Sequence, residues 1–317
     1  MSAEASNVVG TSVDADLLAR VRRISLRIRG LVSGALQGAY RSSVRGSGIE
    51  FEEVRPYQPG DEVRSIDWNV TARTGAPHVK TYVEERQLTL LLLLDTSRSM
   101  DFGSRENSKR EKAAELAALL ALVAGANQDQ VGLCLFANEP GLTLPPDNKP
   151  HQVPRIVREV LAARSEAPGT SKGTGANSGG ALATVLEHAG RHLRHRGMVF
   201  VLSDFLGVEG EAYRRPLARL ARRHDVIAVR LVDPFEEKLP AAGRLLLEDL
   251  ETGHSVEVDT RSRAVRADWA RRAAERRLEF QRTARKAGAD QLEVATDGDV
   301  GEALLGLFAR RGRGGAA

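Results

Sequence analysis

The sequence predicts an α/β fold, a mostly parallel sheet flanked by helices, and three features support that prediction. The segment LTLLLLLD at 88–95 is an apolar run that ends in an aspartate, as in a strand buried on both faces of a sheet. Comparable apolar runs recur at 197–205 and 225–233. Segments with helical character separate these runs, and such alternation favours a parallel sheet covered by helices on both faces.

Two regions precede the main domain. Residues 14–37 carry apolar side chains at helical spacing with arginines between them, which predicts an amphipathic helix. From 46 to 86, short alternating segments are separated by YQPGD and RTGAP, which are turn signals. We therefore predict a small β-rich module between the N-terminal helix and the main domain.

The main domain continues as an alternation of strands and helices. Predicted strands are 88–95, 130–137, 197–205, 225–233 and 290–296, and predicted helices are 109–126, 150–163, 178–193, 212–224 and 262–287. Two alternating runs around ETG, at 244–259, break this order and predict a β-hairpin. The predicted organisation is a tail and helix at 1–45, the β-rich module at 46–86, the main domain at 87–308 and a flexible tail at 309–317.

The composition is that of an ordinary globular protein. The chain has 317 residues, of which 42% are hydrophobic, enough for one substantial core and a small companion module. The net charge is +4 and only 4% of residues are aromatic, so no nucleic-acid surface is predicted. The arginine-rich helix at 262–287 carries Val265, Trp269, Ala273 and Phe280 at helical spacing, which predicts that one face packs against the domain.

Cysteine use and the N-terminus indicate the compartment. Cys134 is the single cysteine and lies in the apolar run VGLCLFA, so an intrachain disulfide is excluded and a catalytic thiol is not expected. The N-terminus lacks a basic stretch followed by an apolar one, and no segment reaches the ~20 apolar residues that span a bilayer. We predict a cytoplasmic protein without a transmembrane segment.

Polar side chains cluster where two predicted strands end. Asp95 closes the first strand, and Ser97 and Ser99 follow it at alternate positions in DTSRS. Asp204 closes a second strand in VFVLSDF. If the two strands are parallel neighbours, these side chains meet at the carboxyl edge of the sheet, where ligands of open α/β sheets bind. Carboxylate and hydroxyl oxygens at this spacing suit a hard divalent cation such as Mg²⁺.

These residues also carry a family resemblance. DTSRS, with a later aspartate at another strand end, resembles the metal-ion-dependent adhesion site of von Willebrand factor A domains. The segment EVRPYQPGDEVRSIDWNVTARTGAPHVKTYVEER at 53–86, followed by LLLLDTSRSM, LSDF and VDPFEEKLP, resembles the bacterial family called domain of unknown function 58, over roughly residues 14–305.

The resemblance implies a fold, a site and a partner. It implies a von Willebrand factor A-like domain that acts as a non-enzymatic protein-interaction module. Asp95, Ser97, Ser99 and Asp204 would hold Mg²⁺, with Mn²⁺ and Ca²⁺ as alternatives. The implied partner is a MoxR-family AAA+ ATPase, in a chaperone-like or complex-assembly role.

The chain departs from the family pattern at one expected ligand. The pattern has a metal-binding threonine where this chain has Ala176, in GTGANSGGAL. An alanine side chain has no oxygen to coordinate Mg²⁺. Either Thr174 replaces the missing ligand through a shifted loop, or the site has one protein ligand fewer.

Other interpretations of the same residues stay open. The serines of DTSRS are also typical of a turn or a helix cap. A metal-dependent hydrolase at the same strand ends is one alternative function, and a structural scaffold with a degenerate metal site is another.

Two further groups of residues have a functional and a structural interpretation. His188 and His192, four residues apart on a helix, suit a transition metal, whereas exposed helix histidines are the commoner case. Asp67, Trp68 and Arg73 indicate either a contact surface or packing of the tryptophan with an ion pair around it, and packing is slightly favoured.

Overall fold

A computed structural model describes residues 34–44, 53–58, 66–81, 88–163, 178–250 and 253–314. The first elements are helix α1 (Ala35–Val44), strand β1 (Glu53–Pro56), helix α2 (Trp68–Thr74) and strand β2 (His78–Thr81). β1 and β2 form a two-stranded antiparallel sheet. The predicted β-rich module therefore also contains a helix, which Asp67 caps by accepting hydrogen bonds from the backbone N–H groups of Asn69 and Val70.

The main sheet has six strands. They are β3 (Thr89–Asp95), β4 (Gln130–Phe136), β5 (Pro140–Asp147), β6 (Met198–Ser203), β7 (Asp225–Val232) and, after a hairpin of β8 (Arg244–Glu248) and β9 (Ser255–Asp259), β10 (Asp290–Ala295). Their order in the sheet is β10-β7-β6-β3-β4-β5, and all neighbours are parallel except β4 and β5. The predicted fold class and the predicted hairpin are confirmed.

Helices cover both faces of this sheet. They are α3 (Lys109–Ala126), α4 (Gln152–Ala162), α5 (Ser178–His192), α6 (Gly210–Ala221), α7 (Pro234–Glu237), α8 (Arg263–Ala287) and α9 (Val300–Gly314), with a 3₁₀ turn at Arg98–Asp101. Leu90, Leu92 and Leu94 of β3 pack into the core beneath α3, α4 and α9. Leu91 and Leu93 face the opposite core, beneath α5 and α6. This alternation is why the strand is apolar at every position.

Helix α1 completes the first of these cores. Leu36 and Tyr40 are buried, and the Tyr40 ring lies edge-on to Phe308 at 5.6 Å. The Tyr40 hydroxyl donates to Asp129 Oδ2 at 3.1 Å. Most of the predicted helix at 14–37 lies outside the described residues, and α1 continues beyond its predicted end to Val44.

Strand β5 and helix α9 are further elements that were not predicted. β5 reads PGLTLPPD, and its prolines suit an edge strand, because proline cannot donate to a second neighbour. Helix α9 runs to Gly314, so residues 309–314 are helical rather than part of a flexible tail. No helix in the described ranges is both long and apolar enough to cross a bilayer.

Candidate functional site

The candidate site lies where β3 and β6 end side by side. The two strands are parallel neighbours, with Leu90 opposite Met198 and Leu94 opposite Leu202. The predicted adjacency of the strand ends is therefore confirmed. From β3 the chain passes to β4 on one side and later returns to β6 on the other. Open α/β sheets bind ligands at such a reversal of strand order, which here lies between the β3 and β6 ends.

Asp95 is buried at this point and accepts two hydrogen bonds. Its Oδ1 accepts from the Ser97 backbone N–H at 2.8 Å, and its Oδ2 accepts from the Ser203 hydroxyl at 2.6 Å. The Ser97 and Ser99 hydroxyl oxygens lie 3.1 Å apart. Thr96 turns away and donates its hydroxyl to the Phe136 carbonyl at 2.9 Å. The turn thus brings both serine hydroxyls together beside the strand end.

The surroundings of Asp95 disfavour the ionised form of its carboxyl group. Burial, and second to it repulsion from the Asp204 carboxylate, together raise the pKa of Asp95 to about 6. Hydrogen bonds from Ser203 and Ser97 lower the pKa but do not offset the first two effects. A cation placed between the two carboxylates would relieve this repulsion.

Asp204 sits in a tight turn after β6. Its Oδ1 accepts from the Leu206 backbone N–H at 3.0 Å. Phe205 between them has φ of 53°, in the left-handed region that non-glycine residues seldom adopt. The Ser203 hydroxyl accepts from the Phe205 N–H at 3.1 Å and holds this turn. Such local strain is typical of functional sites.

The second oxygen of Asp204 is bound by a lysine that the sequence analysis missed. Lys109 Nζ lies 2.6 Å from Asp204 Oδ2 and 2.6 Å from Glu236 Oε1, and the lysine side chain is 0% exposed. Burial lowers the pKa of Lys109, but the attraction of Asp204 and Glu236 outweighs it and raises the pKa above its usual value. The site therefore contains a permanent ammonium.

Glu236 links this site to the next strand end. Its Oε2 accepts from the Asp233 backbone N–H at 3.2 Å, within the capping box that starts α7. Burial raises the pKa of Glu236, although Lys109 lowers it. Two acidic side chains, Asp204 and Glu236, thus converge on one lysine near the ends of β6 and β7.

The donor set at the β3 and β6 ends fits a hard divalent cation. It offers two carboxylates and two hydroxyls, and Mg²⁺ commonly takes one or two carboxylates and completes its shell with water. Within the described ranges, no group of three or more histidine, cysteine or acidic side chains is arranged to hold a metal ion. A cation here would thus depend on Ser97 and Ser99. Thr174 and Ala176 lie outside the described residues.

The remaining polar candidates lie elsewhere in the fold. The rings of His188 and His192 stack with centroids 4.0 Å apart, and His188 Nε2 lies 3.4 Å from the Thr143 hydroxyl. That hydroxyl also contacts the Cys134 sulfur at 3.6 Å, and burial raises the pKa of the thiol. His188 thus contacts the edge strand β5, His192 is exposed, and neither histidine contacts Asp95 or Asp204 in the hydrogen bonds of the described residues.

Trp68 is an exposed aromatic side chain. Its side chain is 67% exposed, and helix α2 buries none of its residues. The interpretation that Trp68 is packed into the module is therefore wrong. Asp67, its neighbour, is used to cap α2.

A family model for "Protein of unknown function DUF58" matches residues 53–279. The chain belongs to the DUF58 family. An uncharacterized protein of Mycobacterium tuberculosis is 36% identical over 306 residues, covering 96% of this chain and 92% of the relative. An uncharacterized protein of Mycobacterium bovis matches to the same extent, 36% over 306 residues.

Two solved structures also align with the main domain. The conserved hypothetical protein BatB from Bacteroides thetaiotaomicron aligns with a TM-score of 0.47 and 18% identity, covering 71% of this chain and 99% of BatB. The SpRpn10 VWA domain aligns with a TM-score of 0.39 and 12% identity, covering 70% of this chain and 95% of that domain. Alignments at this level carry no functional information.

Proposed function

We propose that this DUF58 protein is a non-enzymatic protein-interaction module that works in the cytoplasm. Its contact point is the carboxyl edge of the sheet between β3 and β6. Asp95, Ser97, Ser99 and Asp204 hold Mg²⁺ there, directly or through water. A bound Mg²⁺ offers an open coordination position to a carboxylate of the partner.

The single observation that supports this proposal is the crowding of two buried carboxylates beside two converging hydroxyls. Asp95 and Asp204 repel each other, and the pKa of Asp95 rises to about 6 as a result of burial and this repulsion. Ser97 and Ser99 present their oxygens 3.1 Å apart on the same turn. Lys109 supplies one positive charge against the carboxylates of Asp204 and Glu236, so negative charge remains in excess, and this favours a role in cation binding.

The partner follows from the family resemblance. The family that the chain resembles is described as associated with MoxR-type AAA+ ATPases, so an ATPase of that type is the partner we propose, in a chaperone-like or complex-assembly role. The exposed Trp68 is the kind of side chain that contributes strongly to protein interfaces, and it offers a second contact on the N-terminal module.

A metal-free interaction surface is the second candidate. It is favoured by Lys109, whose ammonium already neutralises Asp204 at 2.6 Å. In this case the same edge of the sheet binds the partner through hydrogen bonds from the DTSRS turn, and removing divalent ions changes nothing.

The test is binding of the purified MoxR-type ATPase from the same organism, measured by biolayer interferometry with Mg²⁺ and with EDTA. The parent chain is compared with Asp95→Ala and with Asp290→Ala. Asp290 is a half-exposed residue at the opposite, amino end of the sheet, where it pairs with Arg311. We expect EDTA and Asp95→Ala each to weaken binding at least ~10-fold, and Asp290→Ala to leave it unchanged.

Two results contradict the proposal in different ways. Unchanged binding by folded Asp95→Ala, with EDTA also without effect, supports the metal-free surface. Loss of binding in EDTA together with unchanged binding by Asp95→Ala places the metal somewhere other than this site.

A further inference from the structure

Lys109 occupies a position that its local sequence does not explain. It is the first residue of α3, where a positive side chain faces the positive end of the helix dipole. The helix already begins with a capping box of Ser108 and Glu111, so it needs no contribution from the lysine. The ammonium is instead buried and directed to the ends of β6 and α7.

Two carboxylates hold the ammonium through hydrogen-bonded ion pairs. Burying a single charge costs several kcal/mol unless partners compensate for it. Lys109 Nζ has two such partners at 2.6 Å, Asp204 Oδ2 and Glu236 Oε1. The ring of Phe102 lies beneath it, with the ring centroid 6.0 Å away. Glu236 thus provides a second anchor that does not belong to the candidate metal site.

The two aspartates of the site are therefore unequal. Asp95 accepts its hydrogen bonds from the neutral donors Ser97 and Ser203. Asp204 has Leu206 N–H on one oxygen and the lysine on the other. A divalent cation that bridges the two aspartates must share Asp204 with a positive charge already in contact with it, and the two cations repel each other.

We propose that Lys109 is a resident cation of this site that competes with the divalent metal for Asp204. When the metal binds, the ammonium withdraws from Asp204 and stays on Glu236. The lysine thereby weakens metal affinity and couples metal binding to the start of α3 and to α7. This inference rests on the metal-binding part of the proposed function and names how that site is regulated.

The test uses Mn²⁺ as the probe, titrated into the full chain and followed by the electron paramagnetic resonance of the free ion. Lys109→Met removes the charge and keeps an apolar chain of similar length. Lys112→Met is the matched control, because Lys112 is also buried in α3 but contacts Glu115 and the Gly298 carbonyl. We expect Lys109→Met to bind Mn²⁺ at least ~10-fold more tightly than the parent, and Lys112→Met to bind like the parent.

A second variant, Glu236→Gln, is expected to weaken Mn²⁺ binding, and it tests the inference even if Lys109→Met fails to fold. Glu236→Gln keeps the shape of the side chain but removes the alternative anchor, so the ammonium is held more strongly on Asp204. We expect Mn²⁺ binding to weaken several-fold in Glu236→Gln.

The outcomes separate this inference from the proposed function. If the parent, Lys109→Met and Glu236→Gln bind Mn²⁺ with equal affinity, the proposed competition of Lys109 with the metal is wrong, whereas the proposed metal site is retained. No Mn²⁺ binding by any variant overturns both. Tighter Mn²⁺ binding by Lys109→Met supports the competition. If partner binding is also unchanged by EDTA, the metal is not part of the contact with the partner.

Discussion

Two buried aspartates at the same edge of the sheet have opposite environments. Asp233 follows β7 and accepts from Ser104 N–H at 2.8 Å, Phe235 N–H at 2.9 Å and the Thr296 hydroxyl at 2.8 Å. Burial raises the pKa of Asp233, but these donors outweigh it and hold the pKa below its usual value. Asp95 is the last residue of β3, is also buried, and has its pKa raised to about 6.

The difference shows that burial by itself does not decide the role of a strand-end carboxylate. Asp233 has neutral donors on both oxygens that hold its pKa below the usual value, so it stabilises the fold. Asp95 has Asp204 as a neighbour of like charge, so its ionised form is costly until a cation arrives. We assign a structural role to Asp233 and keep the functional proposal for Asp95.

The largest expected effect is from Asp233→Ala. The substitution leaves the buried donors of Ser104, Phe235 and Thr296 without their acceptor, and each unpaired donor is destabilising. We expect the free energy of unfolding to fall by about 4 kcal/mol, measured by urea denaturation at neutral pH. Asp290→Ala, which removes a half-exposed ion pair, is the control and should cost under about 1 kcal/mol.

We expect Asp95→Asn to raise the free energy of unfolding, whereas Asp233→Ala lowers it. Asparagine is neutral like protonated aspartate, whose pKa in the fold is about 6 against a usual 3.8. Because the folded pKa is the higher one, the ionised form destabilises the fold above pH ~6 and no longer does so below pH ~4. We expect Asp95→Asn in EDTA to be more stable than the parent at neutral pH, by on the order of 3 kcal/mol.

The pH dependence provides the check on this prediction. Urea denaturation of both proteins across the pH range should show the advantage of Asp95→Asn shrinking as pH falls from 7 to 4, since the parent then takes up its proton. A variant that is less stable than the parent at neutral pH would show that the Asp95 carboxylate stabilises the fold as Asp233 does.

Ser203→Ala probes the hydrogen bonds that restrain Asp95. The hydroxyl donates to Asp95 and accepts from the Phe205 N–H, so its loss affects the carboxylate and the turn together. We expect a loss of about 2 kcal/mol and a further rise in the pKa of Asp95. Carboxyl carbon NMR titration measures that pKa, and a pKa unchanged from the parent would contradict the role of Ser203.

Thr296→Val makes the matching change at Asp233 and has the smallest expected effect. It removes one donor while Ser104 and Phe235 still donate. We expect a loss of about 1 kcal/mol in urea denaturation, well below that of Asp233→Ala. Equal losses in the two variants would mean that the Thr296 hydroxyl alone accounts for the stabilisation by Asp233.

The sequence by itself determined the fold class and the position of the candidate site. Buried strands leave continuous apolar runs and helices leave helix-forming residues or helical spacing of apolar residues, so β3, β6, β7, α3 and α8 were predictable. The carboxyl ends of parallel strands meet at one edge, so the adjacency of Asp95 and Asp204 followed from the pattern as well. Whether they bind a metal stays a prediction.

Only the tertiary structure decided how the charges at that site are balanced. Lys109 reaches Asp204 across 95 positions and Glu236 across 127 positions of the chain, and no local pattern signals such a contact. From the sequence, a lysine at a helix start is expected to have a solvated side chain. The sequence around Trp68 does not distinguish an exposed tryptophan from a packed one. The physical reason is that burial of a charge depends on which distant partners the fold brings within hydrogen-bond distance, whereas periodicity depends only on neighbours along the chain.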